Sequence, residues 1–189
     1  MTHIMVDVET TDTDPHRGGI LQIAAVKFNP KTRTVGKVFD QCPMLLPTRR
    51  WGESTRGFWM GGANRPVYDR LIARAQPAAA VFKAFEDFCC EDAPFGGYTF
   101  VAKPVKFDWP FVESHMVELG LTFPFAHHKL LDLHSVISGL RGECDRTSIE
   151  DEVPFPVGGD KHNALHDCAW QIDMLHHALA NHIKVEIVS

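Results

Sequence analysis

Five residues, drawn from three separate stretches, have the types and spacing for divalent-metal chemistry. Asp7-Val8-Glu9 carries two carboxylates at i and i+2. In a strand that spacing turns both to one side, where they can share a cation. Asp108 follows Phe107 at the start of a helical pattern, and His162 and Asp167 lie five apart where the last helical pattern begins. Hard divalent cations take carboxylate oxygen, and a pair of ions needs several such ligands converging from separate elements. Each piece alone is weak. A DxE triplet arises by chance in roughly every second chain of this size, Asp108 could equally cap a helix, Asp167 could be a first-turn acid favoured by the helix dipole, and His162 could be a solvated loop histidine. Together, four acids and one histidine are what metal-assisted hydrolysis asks for.

The elements that must position these residues are legible in the periodicity. Residues 2–9 alternate, with Ile4, Val6 and Val8 on one face and Met5, Asp7 and Glu9 on the other, the period of a strand. After a polar loop, residues 20–28 are apolar enough for a central strand. Asn29, Pro30 and Lys31 then turn the chain into a third strand near 34–39, so the first 40 residues predict an antiparallel meander. Residues 41–63, with Pro43, Pro47, Gly52, Gly57, Gly61 and Gly62, predict an extended arm. Helical spacing appears weakly through Val67, Leu71, Ile72 and Ala75, then clearly over 77–89 and 107–119, with Pro110 in the first turn of the latter. Residues 98–102 form a short strand, 130–140 read equally as strand or helix, and 163–182 form a final helix with a stripe of Cys168, Ile172, Leu175 and Leu179. Strands first, then helices alternating with a strand, imply an α/β domain with a mixed sheet.

At 189 residues, the chain is expected to form one domain over 1–189. Hydrophobic and charged shares of 44% and 23% exclude disorder and long coiled coil. No run approaches the roughly 18 apolar residues of a membrane span, and Asp7 and Glu9 interrupt the first apolar segment where a secretory signal would carry no charge. The expectation is a cytoplasmic protein with no membrane partner. Five cysteines, an odd number without a CxxC pair, predict reduced thiols serving mostly as core filler. The net charge of −5 argues against bulk electrostatic binding of nucleic acid, although clustered carboxylates reverse sign once loaded with cations.

The ordered set of motifs is more specific than its parts. DVETT ending the first strand, VKFDWPFVESHM entering a middle helix and HNALHDCAWQIDML opening the last helix resemble the three exonuclease motifs of the DEDDh family. That group includes polymerase proofreading subunits, ribonuclease T and oligoribonuclease. His162, Ala164 and Asp167 fit its HxAxxD pattern. ILQIAAVKFNPKT and STRGFWM resemble, more closely, small phage- and prophage-encoded 3′→5′ exonucleases of the exonuclease VIII type. The likeness runs from about residue 3 to residue 178. It implies a ribonuclease H-like fold: a mixed sheet, with strands 1 to 3 as an antiparallel meander plus parallel strands, flanked by helices. It further implies that Asp7, Glu9, Asp108 and Asp167 hold two Mg²⁺ or Mn²⁺ ions, that His162 is the general base, and that 5′-mononucleotides are released. Thr10 and Thr11 match the segment that meets the 3′-terminal nucleotide, although Asp12 stands where relatives often have Gly. Phage-type relatives would place the enzyme in the bacterial host cytoplasm, and a homodimer is compatible with the family.

The arm adds a binding expectation. Between residues 46 and 76, six arginines face two acids, a local charge of +4 in an acidic chain. Arg49, Arg50 and Arg56 are interleaved with Trp51, Phe58 and Trp59, a mixture suited to single-stranded nucleic acid. Trp59 is the expected stacking residue; the competing reading is an arginine-decorated surface whose tryptophans anchor the arm. Asp132 is expected to be structural, Asp173 solvated, and the Phe-rich stripe from Phe82 to Phe88 core. The sequence thus predicts a metal-dependent 3′→5′ exonuclease on single-stranded ends, DNA preferred, with an exoribonuclease on the same scaffold as the alternative. An HD-type phosphohydrolase, suggested by His166-Asp167, is opposed by the strand-rich first 40 residues. A non-catalytic nucleic-acid-binding module would have no need of all five motif residues.

Overall fold

The computed structural model describes residues 1–143 and 149–181. The chain runs β1 (His3–Thr10), β2 (Ile20–Asn29), β3 (Thr34–Pro43), α1 (Glu53–Met60), a 3₁₀ turn (Gly62–Asn64), α2 (Arg65–Ala73), β4 (Ala75–Gln76), α3 (Ala78–Cys90), β5 (Thr99–Ala102), α4 (Val105–Glu118), β6 (Leu130–Asp132), α5 (Leu133–Leu140) and α6 (Ala164–Ala180). One mixed sheet carries them in the order β4-β3-β2-β1-β5-β6. β1, β2 and β3 are antiparallel neighbours, as the meander predicts, whereas β5 runs parallel to both β1 and β6.

The period-2 pattern of β1 sorts its side chains between two cores. Ile4, Val6 and Val8 pack with Val81, Phe82 and Phe85 of α3 and with Phe111, Val112 and Met116 of α4. Met5 packs on the opposite face with Val101, Leu133, Ile137, Cys168 and Ile172, beneath α5 and α6. Asp7 and Glu9 therefore face the α6 side. The Phe-rich stripe is core, as expected: Val81, Phe82 and Phe85 are fully buried. Cys42, Cys89 and Cys168 are buried free thiols and Cys90 is exposed; Cys144 lies outside the described residues.

Two expectations are corrected and one ambiguity is resolved. The arm is not extended throughout, because residues 53–60 coil into α1 between Gly52 and Gly61. A helix so short with Gly57 inside it gains little from propensity. It is held by Trp59, 1% exposed in a third cluster with Leu21, Cys42, Val67 and Leu71. Second, α4 starts at Val105, so Pro110 lies inside the helix rather than in its first turn. Third, the ambiguous 130–140 segment is a strand and then a helix, divided at Asp132. That carboxylate caps α5 through Ser135 N–H and also accepts from Val105 N–H, which is the expected structural role.

On the outer side, β3 is joined by β4 only at Cys42 and Pro43. Its Thr34–Gln41 stretch has no strand beyond it among the described residues. No helix there is long and apolar enough to cross a membrane.

Candidate active site

The site lies where β1 and β5, parallel neighbours, reach their C-terminal ends, the place where open α/β sheets receive ligands. Asp7 and Glu9 point from β1 toward α6, whose first turn supplies Asp167. Carboxylate oxygens of these three lie within 4.8 Å of one another. Asp108 reaches the same place from the opposite layer. It stands in the first turn of α4, and its Oδ1 accepts the Val8 N–H at 3.0 Å, tying α4 to β1 rather than capping a helix. The β1–β2 register shifts between Glu9 and Thr10, a bulge at the edge of the site.

His162 completes the group. Its backbone adopts φ +63°, a left-handed conformation that costs a non-glycine residue roughly 1–2 kcal/mol. Two features hold it there. Its N–H donates to the Asp167 carboxylate, and its ring packs edge-on against Phe58, 4.8 Å away, and Trp59, 6.4 Å away. The four acids and His162, with Lys103, Phe107, Trp170 and Gln171, line a pocket of about 250 Å³. An adjoining groove runs over Thr10, Thr13, Phe58, Trp59 and Phe107.

Electrostatically the pocket is poised for cations. Burial first, and then Asp108, Glu9 and Asp167, hold Asp7 well above the usual carboxylate range. Burial, Asp167 and Asp108 do the same to Glu9. Burial pushes Asp108 up to about 8 despite the hydrogen bond from Val8, and pushes Asp167 up to about 6 despite the His162 N–H and Lys103. Burial, with Lys161 nearby, lowers His162 below its ordinary value. Carboxylates crowded this way are costly unless a cation compensates them. Gln171 donates to Asp7 Oδ1 at 2.7 Å, while its own Oε1 is buried with no partner. The donor set fits hard divalent ions.

The predicted substrate contacts divide. Thr10 lines the groove, its hydroxyl donating to the Asp12 carbonyl. Thr11 is corrected: it is fully buried, its hydroxyl donates to the Arg50 carbonyl and accepts from Gly19 N–H, and it does not line the groove. Arg49 is corrected too, because its side chain is 5% exposed and its guanidinium is used on Glu118, Ser114 and the carbonyls of Pro15 and Gly18. Trp59 presents one edge to the groove, but it is buried and its indole N–H donates to the Thr10 carbonyl, which makes it an anchor rather than a free stacking surface. Arg50 and Arg56 are exposed. Asp12 organises its own loop, with Oδ1 accepting from Thr13 and Asp14 N–H. It also fixes Gly52, where a Cβ would come within 3.0 Å of the Asp12 carboxylate.

Lys103, Gln171 and Phe107 reach the pocket without having been singled out. Gln171 carries a sequence signal, since it stands four residues after Asp167 and so on the same helix face.

A family model described as the 3′-5′ exoribonuclease Rv2179c-like domain matches residues 2–179. The chain belongs to this family. That description names a 3′-5′ exoribonuclease domain. No curated protein matches the sequence. Among solved structures, exonuclease I superposes with a TM-score of 0.71 at 15% identity, over 96% of this chain and 41% of that one. Cell-death related nuclease 4 gives 0.67 at 15%, over 94% and 63%. The zinc-ion-bound complex of E. coli exonuclease I with ssDNA gives 0.66 at 17%, over 93% and 40%. These likenesses establish the ribonuclease H-like fold. The chain spans less than two thirds of each of these structures.

Proposed function

We propose that this chain is a divalent-metal-dependent 3′→5′ exonuclease of the histidine (DEDDh) type, one catalytic domain that removes 5′-mononucleotides from single-stranded 3′ ends. The observation that carries it is the convergence of four carboxylates, Asp108 buried and Asp7, Glu9 and Asp167 half-buried, from β1, α4 and α6 on one pocket beside His162. Asp7, Glu9, Asp108 and Asp167 would hold two Mg²⁺ or Mn²⁺ ions. Such ions, when bound, make water a stronger nucleophile and neutralise charge at the leaving 3′ oxygen. His162, whose neutral form burial favours, takes the proton from the attacking water at a ring nitrogen. Gln171 holds Asp7 in one rotamer. The adjoining groove receives the terminal nucleotide, with Thr10 and Phe107 on its wall and Arg50 and Arg56 toward the incoming backbone. The likeness of ILQIAAVKFNPKT and STRGFWM to exonuclease VIII-type enzymes supports a place in that subgroup.

On the polymer, two readings each have an observation. The description of the family as exoribonucleases supports RNA, and the ssDNA complex of a fold neighbour supports DNA, the preference expected from the sequence. The test is digestion of end-labelled single-stranded RNA and DNA of one sequence, side by side, with Mg²⁺ and then Mn²⁺. A ladder shortening from the 3′ end of one polymer identifies the substrate. Absence of 3′ shortening on both, with metal present, overturns the proposal.

A further inference from the structure

Lys103 lies between the end of β5 and the start of α4, and none of the motifs that define the site assigns it a role. Its side chain is 10% exposed and is the only lysine or arginine among the residues lining the four-acid pocket. It nevertheless makes no ion pair with those four acids. Its ammonium is held by Glu150, from the loop before α6, and lies over the Trp170 ring, 5.2 Å from the centroid. Trp170 is itself fixed, its indole N–H donating to the Val153 carbonyl at 2.7 Å and its ring packed against Phe155. The arrangement suspends one positive charge at the wall of the pocket, with a partner that stands apart from the metal-facing set.

An ammonium has three donors, and neither a single carboxylate nor a ring face uses them all. The Glu150 side chain is 37% exposed, so that pair is partly solvated and its loss is cheap. A phosphodiester entering the pocket presents non-bridging oxygens whose charge builds further as the P–O bond is exchanged. We propose that Lys103 is a phosphate-binding residue of this site and that Glu150 is its intramolecular competitor, occupying the ammonium until a strand's scissile phosphate displaces it. This rests on the exonuclease reading above. It adds the group that grips the phosphate and a contact that must be released for it to do so.

A role as a plain tether between loop and pocket predicts that losing either partner loosens the site alike. Competition predicts opposite signs. Calorimetric titration of 5′-AMP in Mg²⁺, with KM and kcat on whichever polymer the wild type digests, separates the two. Lys103→Met should weaken 5′-AMP binding by about tenfold or more, in line with one lost charge-assisted contact. Glu150→Gln should tighten it severalfold and lower KM, and should do nothing when added to Lys103→Met. If Lys103→Met fails to fold, the sign of the Glu150→Gln effect still decides. Weaker or unchanged binding in Glu150→Gln overturns the competition, and unchanged binding in a folded Lys103→Met overturns the phosphate contact. A wild type that digests neither polymer removes the exonuclease reading instead, which keeps the two failures apart.

Discussion

On the proposed reading, Asp108 serves the reaction at the expense of the metal-free fold. Its carboxyl is 2% exposed and pushed up to about 8, whereas in the unfolded chain it titrates near 3.9. The folded state therefore holds this proton more tightly, and the metal-free protein should lose stability as pH rises from about 4 through about 8. Asp108→Asn cannot ionise and can still accept the Val8 N–H. In EDTA at pH 8 it should melt a few degrees above the wild type, while its activity falls to background; fluorimetric melts from pH 5 to 9 test this, and a lower melting point with an unchanged pH slope refutes it. His162 carries the second prediction. His162→Ala should cost on the order of 10²- to 10⁴-fold in turnover and abolish the acid limb of the pH profile. Because burial lowers its pKa, the ring stays neutral and able to accept a proton further into acid. Rates at saturating metal, with occupancy checked by calorimetry, would show an unchanged limb if another group were the base. Asp7, Glu9 and Asp167 were legible as neighbours because strand and helix periods fix which way they point. Thr11 and Arg49 were misread because their polar atoms are satisfied by residues 39 and 34 positions away, which no local spacing encodes.

At the scale of elements, α1 is the piece the sequence hides. Four glycines and two prolines in 41–63 carry a coil signal, and the burial of one indole overrides it. Trp59→Ala should therefore cost about 3–5 kcal/mol, a fall of roughly 10 °C in melting temperature. Trp59→Phe, which keeps most of the packing and loses the bond to the Thr10 carbonyl, should fall much less. Equal losses would mean that the hydrogen bond and not the burial holds the arm. The arginines of this region separate in the same way. Arg56→Glu should leave the melting point near that of the wild type and reduce the slope of log affinity against log salt by about 1. Arg49→Glu, which sets an acid beside Glu118 at a site 5% exposed, should instead destabilise the fold. If Arg56→Glu leaves the salt slope unchanged, the arm has no phosphate contact at that position. By contrast, α3, α4 and α6 were readable from their apolar stripes, to within a residue or two at most ends.

For the whole molecule, the sheet has a core on each face, and the acids arrive from both sides: Asp108 from the α4 layer, Asp167 from the α6 layer. The layering was legible because β1 splits its side chains cleanly between the faces. What the pattern could not reveal is how the layers meet at the pocket, which depends on contacts such as that of Asp108 with Val8. The outer edge of β3 has a different bearing. Val35 and Val38 are exposed there, at 56% and 51%, with Lys37 between them held by Glu91 and Asp92. An open strand edge of this kind is a template for self-association, and a lysine set into it is a recognised deterrent, since a second strand could pair there only by burying or displacing the charge. Lys37→Ile would give four consecutive residues, Val35 to Val38, without a charge on that edge. The variant should form sedimenting aggregates on concentration, under conditions where the wild type stays clear, and Lys37→Glu should not. Solubility of the protein at working concentration would then rest on one side chain remote from the four-acid pocket.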